Sequence, residues 1–118
     1  MSTPPNPRRG EIWDICFDPS VGAEIQKTRP AVVVNIEAVG RLPLRMVVPI
    51  TDWKETYNFA PWFVRLPSTP TNGLSKESGA DAFQLKSVSL NRFRKLRGKL
   101  TDAQMDDIAG AIAICIGL

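Results

Sequence analysis

The chain has 118 residues, 43% of them apolar, and a formal net charge of +3. It is long enough for one domain with a real core, too short for two, and too apolar for a disordered chain. It contains no histidine, and its two cysteines lack metal-type spacing, which excludes imidazole catalysis and a CxxC metal site.

Residues 1–9, MSTPPNPRR, are proline-rich and polar and predict a flexible arm. The stretch EIWDICF at 11–17 predicts a strand, with Trp13, Ile15 and Phe17 on one face and Ile12, Asp14 and Cys16 on the other. Residues 18–30 form a loop opened by Asp18-Pro19 and long for a hairpin connection, a length that often carries function. Strands follow at 31–37, at 45–50, where Pro49 suggests an edge or a strand end, and at 61–66. Turn residues fill 67–79. A short strand at 81–88 leads into the basic stretch 89–100. The tail, 101–118, predicts a helix: Thr101 and Gln104 make a capping-box pattern, Asp102 suits the helix dipole, and Met105, Ile108, Ile112 and Cys115 form an apolar stripe. Short strands followed by one helix predict a mainly β domain, a small antiparallel β-barrel capped by a helix. With no signal peptide pattern and no run of eighteen apolar residues, the chain reads as cytoplasmic and free of membrane. Cys16 and Cys115 then read as buried free thiols.

Four segments could carry chemistry. Arg29 precedes a proline, so its backbone is held extended and its guanidinium is aimed by a stiff segment. It suits a phosphate or carboxylate, or an ion pair with Glu24. Thr51, after VVPI, could cap a strand end or donate its hydroxyl to a phosphate oxygen. In FQLKS at 83–87, strand alternation puts Gln84 and Lys86 on one face, to meet a base edge and a phosphate or simply to face solvent. Arg92, Arg94, Lys95, Arg97 and Lys99 form a basic run that is either a solvated surface or the dock for an acidic partner. Phe17, Trp53, Tyr57 and Phe83 are candidate stacking platforms or core residues.

Three ordered motifs, RGEIWDICFDPSVGAEIQKTRPAVVVN at 9–35, VVPIT at 47–51 and QLKSVS at 84–89, resemble the MazF/PemK/Kid family of toxin endoribonucleases. The resemblance covers nearly the whole chain. It implies an SH3-like barrel of the MazF/CcdB kind and a homodimer. It also implies metal-independent cleavage of single-stranded RNA, chiefly messenger RNA, with no cofactor and under the restraint of a cognate antitoxin. It implies Arg29 and Thr51 as the catalytic pair, with Glu24 as base or orienter. RNA contact is expected from Gln84, Lys86 and Ser87, with Lys27 and Phe17 near the first loop. Some members carry a histidine in that loop and an Arg-x-Asp before the Gln motif. Here those positions are Ala23, Asp81 and Phe83, so the acid and base roles of those members do not carry over. A catalytically weakened RNA-binding module and a CcdB-like gyrase inhibitor are the alternatives. The second uses a C-terminal tryptophan, which Ile116-Gly117-Leu118 lacks.

Overall fold

The structure is a computed structural model and describes residues 5–118. Seven antiparallel strands form one strongly bent sheet: β1 (Glu11–Cys16), β2 (Thr28–Val33), β3 (Leu44–Asp52), β4 (Phe63–Leu66), β5 (Ser78–Asp81), β6 (Lys86–Ser89) and β7 (Phe93–Lys99). The helix α1 (Asp102–Cys115) follows. The strands run β4-β5-β3-β2-β1-β7, with β6 also paired to β3. Among the described residues no pairing joins β7 to β4 or β6, so the sheet is not closed into the predicted barrel.

The middle of the sheet is buried on both faces, which is why β2 and β3 read as unbroken apolar runs. Val32, Val48 and Ile50 pack with Ile12, Leu100, Met105 and Ile108 in a core covered by α1. Ala31, Val33 and Val47 pack with Ile15, Phe17, Val88 and Phe93 in a second core on the opposite face. The faces expected for the first strand are observed, since Ile12 and Ile15 belong to opposite cores and Trp13 meets Phe93 edge to face at 5.7 Å. The capping box forms, with the Gln104 N–H donating to the Thr101 hydroxyl and the Gln104 carboxamide accepting from the Thr101 N–H. Met105, Ile108 and Ala111 are the buried positions of α1.

Several expectations need correction. Of the predicted arm, residues 1–4 lie outside the described residues, whereas the chain from Asn6 onward is held. The buried Arg45 donates to the carbonyls of Pro7, Leu42 and Leu44 and to Asn6 Oδ1, each at about 3 Å. β2 starts at Thr28 rather than at 31 and ends at Val33, so Arg29 stands inside the strand. Pro49 marks no edge. It is fully buried in mid-strand, where it is the last β3 residue paired with β2. Both cysteines are free but half-buried. Among the described residues, no helix is long and apolar enough to cross a membrane.

The predicted strand 81–88 is interrupted: β5 starts earlier, at Ser78 in the stretch expected as turn, and ends at Asp81, and β6 starts only at Lys86. β5 and β6 both pair with β3, but three steps along β3, from Ile50 to Val47, correspond to six on the partner, from Ala80 to Lys86. The three extra residues bulge out as a 3-10 turn, Ala82–Gln84. Asp81 stabilises this turn by accepting the Phe83 N–H at 3.1 Å. A bulge re-aims the side chains it carries, here Phe83 and Gln84.

Candidate functional site

The site begins where two neighbouring strands part. β2 and β3 pair from Val33 and Val47 to Ala31 and Pro49. Proline has no N–H to extend the ladder, and beyond it β3 pairs only with β5, from Ile50 to Asp52. Continuing the β2–β3 register by two residues sets Arg29 across from Thr51. The gap is a groove of about 630 Å³ lined by both residues and by Glu24, Asp14, Ile50, Tyr57 and Arg97. Arg29 and Thr51 continue the face of Ala31 and Pro49, while Asp14 and Ile50 belong to the other face. The groove therefore draws on both sides of the sheet.

Arg29 is exposed and, among the described residues, makes no ion pair. Its expected structural partner is occupied elsewhere: Glu24 Oε1 accepts the Val21 N–H at 2.6 Å and closes a turn in the first loop. The Thr51 hydroxyl makes one long contact, 3.4 Å to the Asp52 carbonyl. Gly79 pairs with Thr51, and a Cβ on it would lie 3.1 Å from the Trp53 ring, so this glycine leaves room for the tryptophan two residues beyond the threonine.

Gln84 is not a free base reader in this structure. Its Oε1 accepts the Ile25 N–H at 2.5 Å, and its Nε2 donates to the Ala23 carbonyl at 3.4 Å and to Asp81 Oδ2 at 3.3 Å. It ties the bulge to the loop that carries Glu24. Asp81 is buried, and that burial pushes its carboxyl pKa above the usual range, against the opposing pull of the bonds from Phe83 and Gln84.

The other expected contacts disperse. Phe17 is 1% exposed and sits in the second core, closed to a stacking base. Lys86 holds its ammonium 5.9 Å from the centre of that ring. Lys27 has φ 65° and is exposed, but its neighbours Gln26 and Thr28 line the groove and it does not. Ser87 opens onto a separate apolar hollow with Leu44 and Met46.

The basic run is largely spent on structure. Arg92 donates to the carbonyls of Cys16 and Asp18, holding the start of the first loop, and Arg94 donates to Asn91. Arg97 pairs with Asp14 at 3.4 Å inside the groove. Lys95 and Lys99 are the members without such partners among the described residues. Arg97 and Tyr57, read from the sequence as part of a basic run and as a stacking platform or core residue, both line the groove beside Arg29, a placement the sequence did not show. Arg97 stood out only as part of a charge run, and only the β1–β7 pairing brings it beside Asp14. Tyr57 lies on a 3-10 segment, Glu55–Phe59, that shows no strand or helix period.

Known proteins agree with this architecture. The sequence profile of the family described as "PemK-like, MazF-like toxin of type II toxin-antitoxin system" matches residues 8–116. The chain is 32% identical to Endoribonuclease MazF9 of Mycobacterium tuberculosis over 117 residues, 94% of this chain and 97% of that protein. It is 48% identical to Endoribonuclease PemK of Escherichia coli over 45 residues, which is 37% of this chain and 34% of that one. Among solved structures, MazF from Deinococcus radiodurans superposes with a TM-score of 0.79 at 23% identity, covering 95% of this chain and 97% of that one. A mycobacterial endoribonuclease in complex with its cognate antitoxin superposes at 0.73 and 22%, covering 96% and 97%. These structural likenesses concern the fold, whereas the profile match and the MazF9 identity span almost the whole sequence. The chain belongs to the family of PemK-like, MazF-like toxins of type II toxin-antitoxin systems.

Proposed function

We propose that this toxin is an endoribonuclease that cleaves single-stranded RNA in the groove between β2 and β3. Its relatives MazF9 and PemK are named endoribonucleases. The observation that carries the reading is an arginine that makes no ion pair among the described residues and shares one groove with a threonine hydroxyl and a carboxylate.

The chemistry follows from what these groups can do. The ribose 2′-hydroxyl attacks the adjacent phosphorus, forming the P–O2′ bond as the P–O5′ bond breaks. Negative charge grows on the non-bridging oxygens. The Arg29 guanidinium, held by a strand and a following proline, stabilises that charge, and such a contact is worth about 3–4 kcal/mol. Thr51 donates a second hydrogen bond to the same oxygens. Arginine is a poor proton acceptor. The 2′-hydroxyl proton therefore goes to Glu24, whose second oxygen has no hydrogen-bond donor among the described residues. The leaving 5′-oxygen takes its proton from solvent water, and the products are a 2′,3′-cyclic phosphate and a 5′-hydroxyl. The route calls for no metal or cofactor.

The toxin works in the cytoplasm as a homodimer, restrained by an antitoxin. The solved mycobacterial relative with its cognate antitoxin supports the last point by analogy. The deciding experiment incubates a mixed-sequence RNA in EDTA with wild type and with Arg29→Ala. Cleavage by the wild type alone, with cyclic-phosphate ends, is the expected result. Equal cutting by both, or tight binding with no cutting by either, sinks the reading.

A further inference from the structure

Beside the catalytic groove lies a second cavity of about 530 Å³, and the two share Ala23, Glu24, Ile25 and Gln84 as a common wall. The cavity is also lined by two aromatic residues, Trp62 and Phe83. Their ring centroids are 5.6 Å apart with planes inclined by 56°. Phe83 remains 66% exposed, an unusual amount for a phenylalanine fixed in a turn.

Its position is built, not accidental. Phe83 is the central residue of the bulge between β5 and β6, and Asp81 clamps its backbone N–H at 3.1 Å. Trp62 is fixed in turn, because its carbonyl accepts the Ala82 N–H at 3.1 Å. The ring is therefore preorganised, with one side buttressed and the other open. Phe59 is a useful contrast. It is more exposed, at 89%, yet it joins no ring pair among the described residues and lines neither the groove nor this cavity.

We infer that Phe83, buttressed by Trp62, is a stacking platform for a nucleobase next to the scissile phosphate. The inference rests on the RNA-cleaving reading above and adds a base subsite to it. A flat, half-polar base suits this place. The exposed ring offers a π-face to any base, and an aromatic platform is the common device for holding a splayed single-stranded base. The shared wall places that base one step from the phosphate held by Arg29. A stack tolerates all four bases, so this subsite sets how firmly the strand is held there and the cavity walls set which base fits.

The test begins with wild-type protein and a mixed-sequence RNA, whose cut sites are mapped from the 5′ ends. No cleavage at that step overturns the RNA-cleaving reading itself. With a cut site in hand, an oligonucleotide spanning it is cleaved by wild type, Phe83→Ala, Phe83→Leu and Phe83→Tyr. Loss of one stacked base is expected to raise KM about 10-fold or more in the alanine and leucine variants, with rescue in the tyrosine variant. Oligonucleotides made abasic at each flanking position in turn identify the partner base. At one position the wild type drops to the level of Phe83→Ala, and Phe83→Ala loses nothing further. The assignment falls if wild type cleaves but no variant shifts KM, if leucine serves as well as tyrosine, or if no abasic position is coupled to Phe83. It also falls if light scattering shows that Phe83→Ala changes the oligomeric state, which makes the ring an interface residue.

Discussion

Gln84 accepts the Ile25 backbone N–H at 2.5 Å and so bridges 59 residues of sequence, joining the β5–β6 bulge to the loop that carries Glu24. A side chain with the hydrogen-bonding capacity to read a base spends it on holding the first loop in place. Because the same carboxamide also touches Asp81 and Ala23, the loop, the bulge and the buried carboxylate form one unit.

Replacing Gln84 with alanine removes that tie. Stability is expected to fall by about 1–2 kcal/mol, as the short bond from the Ile25 N–H and two longer ones to Ala23 and Asp81 are lost together. Cleavage is expected to drop roughly 10- to 100-fold, since small misplacements of catalytic groups are costly. Hydrogen exchange at the Ile25 amide should accelerate in parallel. Unchanged protection of that amide would show that Gln84 is not the latch.

Arg29→Lys separates charge from shape. The lysine keeps the positive charge and loses the planar fork. Cleavage is expected to fall on the order of 10-fold or more, approaching the alanine variant. Arg29 is exposed and unpaired among the described residues, so stability should stay within about 0.5 kcal/mol of wild type. A large shift in the urea midpoint would mean that the side chain holds the fold together.

Asp81 ties stability to pH. Burial raises its folded-state pKa above the unfolded value, so the folded chain retains this proton to higher pH than the unfolded chain. The contribution is full below the ordinary aspartate pKa and is lost as pH rises through the folded value. Urea midpoints of wild type and Asp81→Asn, measured from about pH 3.5 upward, should diverge, with the asparagine variant showing the flatter profile. Parallel profiles would contradict it.

Gly98 has no room for a side chain. A Cβ there would lie 2.3 Å from the Thr71 carbonyl oxygen and 2.7 Å from that of Asn72. The Lys99 N–H donates to the same Thr71 carbonyl at 3.0 Å, which locks this turn against β7. Gly98→Ala should cost on the order of 3 kcal/mol in a denaturant titration, because backbone must move on one side. A change below about 1 kcal/mol would mean that the turn yields freely.

Much of the molecule could be read from local pattern. The helix was legible because Thr101, Gln104 and the spacing of Met105 and Ile108 are short-range signals. The first strand's two faces followed from simple alternation. Arg29, Thr51 and Glu24 stood out through motif order, and they do line one groove. The strand at 81–88 was misread because its residues suit an extended chain. Nothing local says that three of them must loop out to keep β5 and β6 on one edge of β3. The fates of Gln84, Phe17 and Arg97 were hidden for the same reason, since each depends on a partner far away in sequence.

The sequence by itself determined the family, the helix, the apolar strands and the chemical kinds of side chain available, because those rest on composition, periodicity and ordered motifs. Only the tertiary structure decided that β3 leaves β2 after Pro49, that the bulge turns Phe83 outward and Gln84 toward the first loop, and that Arg29 forms no ion pair among the described residues. The physical reason is that strand register and side-chain partnering are long-range choices. They are settled by which pairing buries both cores at once, and no short window of residues contains that information.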